Sequence, residues 1–151
     1  MRQKHGFTLL ELMFAVAILV TVISGMVRLF VFTSTQADIA GRKTIAVSEA
    51  QTKLEEIRNT DYASITTNYG SGGTPGNTFD LSLIEGKGII YIDSSNSELL
   101  VLEVVVSWNN KYNRVVGEDQ DLDGILDVGE DANSNGKLDS SVELITYLTR
   151  R

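Results

Sequence analysis

The sequence predicts an α+β fold. A long N-terminal helix packs through its second half on a small antiparallel β-sheet, and an acidic loop is inserted between the last strands. Three observations predict it. The sixteen residues Leu12–Val27 carry no charge, which marks an apolar helix. Further on, Val47, Ala50, Leu54 and Ile57 recur at spacings 3, 4 and 3, the stripe of a helix with one buried face. Beyond residue 77 come short β-branched runs separated by turn residues, the pattern of an antiparallel sheet.

At 151 residues the chain is long enough for one domain with a modest core. It has no cysteine, which removes disulfides, thiolate nucleophiles and Cys-type zinc sites together. Its single histidine, His5, lies in a short basic segment with Arg2 and Lys4, so no imidazole base is expected in a folded domain. No nucleophile–base pair can be assembled from what remains, and an enzyme ranks last among the functions considered.

The helix is expected from about Phe7 to Asn59. At 1.5 Å per residue it is roughly 80 Å long. Residues 7–32 are apolar all round and can span ~30 Å of hydrocarbon, with Arg28 reaching to the interface. The basic leader, residues 1–6, stays on the cytoplasmic side. Glu11 is the difficulty, because a buried ionised carboxylate costs several kcal/mol unless paired or protonated.

Three readings compete for this segment. A cleaved secretory signal needs small residues after its apolar run, and Ser24-Gly25 followed by Arg28-Leu-Phe-Val-Phe supplies no convincing site. A plain membrane anchor explains the apolarity but not Glu11. The third reading is a resemblance. Gly6-Phe7-Thr8-Leu9-Leu10-Glu11 resembles the class III leader and methylation motif of type IV pilins and pseudopilins. The resemblance implies that a membrane-bound prepilin peptidase cuts between Gly6 and Phe7 and methylates the new amine of Phe7. It also implies that Glu11 pairs with the N-terminal amine of a neighbouring subunit, so that Phe7 and Glu11 are the assembly residues. A buried carboxylate seeking a cation is consistent with that role.

The second half of the helix begins the globular part, residues 33–151. It carries Arg42, Lys43, Glu49, Lys53, Glu56 and Arg58 mostly off the apolar stripe, with Lys53 expected to pair with Glu49 at i, i+4. Ala50-Gln-Thr-Lys-Leu54-Glu55-Glu56-Ile57-Arg58 resembles the end of that helix in minor pilins and in minor pseudopilins of type II secretion. The absence of a cysteine pair and of a helix proline, both departures from many major pilins, points the same way.

Thr60–Asn77, rich in Thr, Ser, Asn and Gly, is expected to be a surface loop. Thr78–Ile84, Gly88–Asp93, Leu99–Trp108, Tyr112–Val116 and Val142–Thr149 are the strand candidates. Leu99–Trp108 is the strongest, through Val101, Val104, Val105 and Val106. Asn109-Asn110 suggests the hairpin after it. Trp108 reads as a sheet-packing residue in preference to a binding platform.

The net charge of −7 is concentrated. Residues 118–139 hold eight acids and one base, Lys137, and the rest of the chain is balanced. Nucleic acid is an unsuitable partner, since phosphate contacts need clustered Lys and Arg. Asp119-Gln-Asp121-Leu-Asp123-Gly124-Ile125-Leu-Asp127-Val-Gly-Glu130 fits the twelve-residue calcium-loop template. Carboxylates stand at positions 1, 3, 5, 9 and 12, glycine at 6, and Ile125 offers its carbonyl at 7. Asp131, Asn133, Asn135, Gly136, Lys137 and Asp139 repeat the pattern twelve residues on. So many carboxylates in one loop repel each other unless a cation neutralises them, and hard oxygen ligands suit Ca²⁺. The first loop is the stronger site. The second is weaker: Asn replaces Asp twice, its twelfth position is Val142 with Glu143 one residue late, and it is expected either to bind weakly or to share Glu130 or Asp131 with the first. The loops resemble those of EF-hands, dockerins and thrombospondin type 3 repeats, but no helix pair flanks them. A structural clamp is expected, not an opening sensor.

The expected function is a non-enzymatic subunit of a type IV pilus or a type II secretion pseudopilus. Its partners would be other pilin or pseudopilin subunits, the prepilin peptidase, the inner membrane and an assembly platform. Before assembly it would sit in the bacterial inner membrane with its globular part periplasmic. The alternative is a membrane-anchored calcium-binding or adhesive module that never polymerises.

Overall fold

The computed structural model describes residues 8–150. The predicted leader, the cleavage position Gly6 and the methylation position Phe7 lie outside the described residues. The chain divides into two compact units, residues 1–38 and 39–151.

Helix α1 spans Leu9–Arg58, close to the predicted limits. In the first unit every large apolar side chain from Leu9 to Phe32 is exposed, and the helix is long and apolar enough to cross a membrane. The hydroxyls there bond within the helix. Thr21 Oγ1 donates to the Ala17 carbonyl at 2.9 Å and Ser24 Oγ to that of Val20 at 2.7 Å. Such back-bonding leaves no hydroxyl proton unsatisfied in a hydrocarbon surrounding.

In the second unit, α1 turns Ala46, Ala50, Leu54 and Ile57 inward, one turn-to-turn stripe as the spacing predicts, with Val47 at its edge. They pack against a sheet of five strands: β1 (Thr78–Asp80), β2 (Gly86–Asn96), β3 (Leu99–Asn109), β4 (Val115–Val116) and β5 (Glu143–Thr149). The order is β1-β2-β3-β4, with β5 also on β3, and all pairings are antiparallel. β3 is the central strand, and its register Leu102↔Thr146 and Ile92↔Leu102 places Leu100, Leu102, Val104, Val106 and Trp108 on the helix side. Period-2 alternation sorts the strand between its two faces. Trp108 is a core residue, 2 % exposed, as expected. At β2, Phe79 lies so close over Gly88 that a Cβ there would meet the ring at 2.1 Å, so only glycine fits.

The second strand is longer than the expected Gly88–Asp93, and other elements also depart from their expected form. Thr60–Asn77 is not wholly loop, because Tyr62–Tyr69 forms a helix, α2, that buries Ile65 and Tyr69. The i, i+4 pair of apolar residues was present but was masked by the surrounding Thr, Ser and Asn; burial outweighs their weak helix propensity. The first strand stops at Asp80 instead of Ile84. The fourth is reduced to Val115–Val116, since Asn110 accepts from the N–H of Tyr112 and of Arg114 through Oδ1 and holds that segment as a turn. Lys53 pairs with Glu56 at 2.7 Å, not with Glu49. The Glu49 carboxylate instead accepts from the N–H groups of Ser82 and Leu83 at 2.7 and 2.9 Å, fastening α1 to the β1–β2 turn.

Candidate cation-binding loops and N-terminal motif

The acidic segment connects β4 to β5 and lies on the face of the sheet away from α1. Leu138, 1 % exposed, anchors it there. Its N–H donates to the Tyr91 hydroxyl at 2.8 Å, and Lys137 pairs with Glu103 on β3 while its ammonium lies 5.0 Å above the Tyr91 ring. Burial pushes the Tyr91 hydroxyl above its ordinary pKa, and the Glu103 carboxylate raises that of Lys137.

Two loops of one design make up the segment. In the first, Asp119 is fully buried. Its two oxygens accept from the N–H of Asp123 at 3.2 Å and of Gly124 at 3.1 Å. Asp121 accepts from Asp123 and Asp123 from Ile125. These bonds fold the carboxylates of Asp119, Asp121 and Asp123 toward one centre, with ligand oxygens within 4.8 Å of one another. Gly124, at φ +79, makes the sharp turn, as a glycine at position 6 must. Leu122 also takes a positive φ of 61°.

The second loop repeats these features. Asp131 accepts from Asn135 and Gly136, Asn133 from Asn135, and Asn135 from Lys137. Gly136 has φ +80 and Ser134 φ 60°, matching Gly124 and Leu122. The Nδ2 groups of Asn133 and Asn135 both donate to Asp139 Oδ2, at 2.6 and 2.8 Å.

Asp119, Asp121 and Asp123 converge on one point. Glu130, 8 % exposed, reaches back into the first loop, accepting from Gln120 N–H at 2.6 Å and Asp127 N–H at 3.1 Å. Asp127 and Ile125 are exposed on the same loop. Asp131, Asn133, Asn135 and Asp139 form the second loop's hydrogen-bond network, while the Lys137 side chain leaves it for the sheet. The side-chain hydrogen bonds of Glu130 belong to the first loop and those of Asp131 to the second, while the Glu130 carbonyl accepts from Ala132 N–H at 3.1 Å.

Glu118 was not among the sequence-predicted residues. Its carboxylate accepts from Ala132 N–H at 3.1 Å and Asp139 N–H at 3.0 Å. Those are positions 2 and 9 of the second loop, the same positions that Glu130 holds in the first. The template looks for this carboxylate downstream, at Val142, whereas the chain supplies it from upstream. The only sequence signal was the repeat Glu-Asp at residues 118–119 and 130–131.

The donor set suits a hard divalent cation. Burial pushes the Asp119 carboxyl above its usual pKa, and the neighbouring Glu130 charge adds to this, so ionising it without a counter-charge is costly. A bound Ca²⁺ would be held in the first loop by the carboxylates of Asp119, Asp121, Asp123, Asp127 and Glu130 and the carbonyl of Ile125.

At the other end of the chain, Thr8 precedes α1 and its Oγ1 accepts from the N–H of Glu11 at 3.3 Å. Thr8 thus caps the helix, and Glu11 stands in the first turn, where the aligned N–H groups favour negative charge. A family model described as the prokaryotic N-terminal methylation motif matches residues 1–27. This stretch carries the type IV pilin-like prepilin signature. The signature implies processing by a prepilin peptidase and assembly with pilin subunits, and it fits anchoring in the inner membrane before assembly. It suggests a structural protein more than a catalytic one. Neither a curated protein nor a solved structure matches the chain.

Proposed function

We propose that the protein is a structural subunit of a type IV pilus or a type II secretion pseudopilus, cut between Gly6 and Phe7 and assembled through α1. The prepilin signature over residues 1–27 carries this reading. The all-round exposure of apolar side chains from Leu9 to Phe32 supports it, because such a surface needs lipid or the helices of other subunits around it. On this reading Glu11 neutralises the Phe7 amine of an adjacent subunit. The globular part is periplasmic before assembly, and Ca²⁺ in the loops of residues 118–139 clamps the β4–β5 connection on the sheet.

The N-terminal residue and mass of the mature protein test the processing step. An N-methylated Phe7 is expected, whereas an intact Met1 or a cut near Ser24 would overturn it. Glu11→Ala tests assembly: the variant should remain in the membrane but be lost from filaments. Unchanged behaviour of that variant would favour a membrane-anchored module that does not polymerise.

A further inference from the structure

One glutamate closes each acidic loop, and the one that closes the second stands in the chain just before the first. Glu130, which ends the first loop, closes that loop through Gln120 and Asp127, and it is bonded covalently to Asp131, the anchor of the second. Glu118 is bonded covalently to Asp119, the anchor of the first loop, and its side chain closes the second loop through Ala132 and Asp139. Its own N–H donates to the Asp139 carbonyl at 2.8 Å, so backbone and side chain hold the same residue.

We infer that Glu118 is the closing residue of the second loop and that the two loops open and close as one unit. Freeing residues 131–139 breaks three bonds to Glu118 and releases the residue that leads into Asp119. Asp119 is the buried carboxylate from which the turn at Gly124 is hung. Freeing residues 119–130 releases Glu130 and with it the peptide that leads into Asp131, from which the turn at Gly136 is hung. Both latches are carboxylates accepting from main-chain N–H groups, charge-assisted bonds that exceed neutral ones in strength. Each of these latches is joined by one peptide bond to the anchor of the other loop, while Leu138 and Lys137 hold the second loop to the sheet. The coupling needs no cation; resting on the calcium reading, one consequence is that filling either loop favours filling the other.

Peptide-resolved amide hydrogen exchange on the full chain in detergent micelles, at millimolar calcium chloride, tests this. In the unmodified protein the amides of Gln120, Asp127, Ala132 and Asp139 should be protected. Glu118→Gln should raise exchange about tenfold or more at Asp139 and by a smaller factor at Ala132, whose N–H also donates to the Glu130 carbonyl. It should raise exchange at Asp127, whose own partner is Glu130, by a factor similar to that at Asp139. Glu130→Gln should do the converse, exposing Asp139 along with Asp127. Protection of β2 and β3 is the check that each variant remains folded, and if one variant loses the sheet the other decides. Acceleration confined to the loop whose latch was altered would overturn the inference, as would an unprotected segment in the unmodified chain. Calorimetric titration with calcium is independent of that outcome. Absence of heat would defeat the calcium reading and leave the exchange pattern to decide the coupling.

Discussion

The main-chain N–H of Leu138 donates to the hydroxyl of Tyr91 at 2.8 Å, joining the acidic segment to the second strand of the sheet. Leu138 is buried, so water cannot replace this acceptor freely. Tyr91→Phe keeps the ring beneath Lys137 and removes only the hydroxyl. It should destabilise the protein by about 1–3 kcal/mol, the cost of a buried donor left unpaired, measured by denaturant unfolding. An unchanged midpoint would mean that the bond contributes nothing to holding the segment down.

The stripe on α1 should be equally measurable. Ile57 is fully buried against the sheet cluster, and Ile57→Ala leaves a cavity as well as losing apolar transfer energy. The expected loss is about 2–5 kcal/mol. Val47→Ala, at the edge of the same stripe, should cost clearly less in the same assay, and equal losses would contradict the packing.

Glu56 supplies a pH test. The Lys53 ammonium, 2.7 Å away, holds its carboxyl below the usual glutamate range; burial opposes this, and the Tyr69 hydroxyl adds to it. A carboxyl with a lowered folded-state pKa contributes stability that is present above its unfolded-state value and lost as pH falls through the folded-state value. The stability difference between the natural protein and Glu56→Gln should therefore be constant above about pH 5 and shrink as pH falls below about 4. A difference that grows on acidification would reverse the assignment. The group is half exposed, so the effect is small and salt will reduce it.

Calcium should raise thermal stability, and chelator should reverse the gain. At a hundredfold excess over Kd the stabilisation is about 2.7 kcal/mol. Asp119→Asn should abolish most of it, because the buried first ligand loses its charge. Scanning calorimetry with and without chelator reads this directly, and a melting temperature that chelator leaves unmoved would end the proposal.

Much of the molecule was legible in its sequence because the relevant physics is local. Hydrophobic period alone distinguishes the apolar half of α1 from its amphipathic half. The β-branched run at Val104–Val106 marks the central strand, and Asp, Gly and Asp at fixed spacing dictate the loop turns whatever surrounds them. The prepilin signature is also read from consecutive residues. Other features depended on partners distant in the chain. Ile65 and Tyr69 become a helix only because a core is there to receive them. Glu49 leaves Lys53 for two amides of the β1–β2 turn, and those amides come within reach only when the sheet lies under α1. Glu118 is the clearest case: its role rests on the N–H groups of Ala132 and Asp139, brought to it when the second loop folds back on the first. Sequence spacing determined the two loops and the helix; three-dimensional closure decided which carboxylate latches which loop, because a hydrogen bond is set by distance in space and not by separation along the chain.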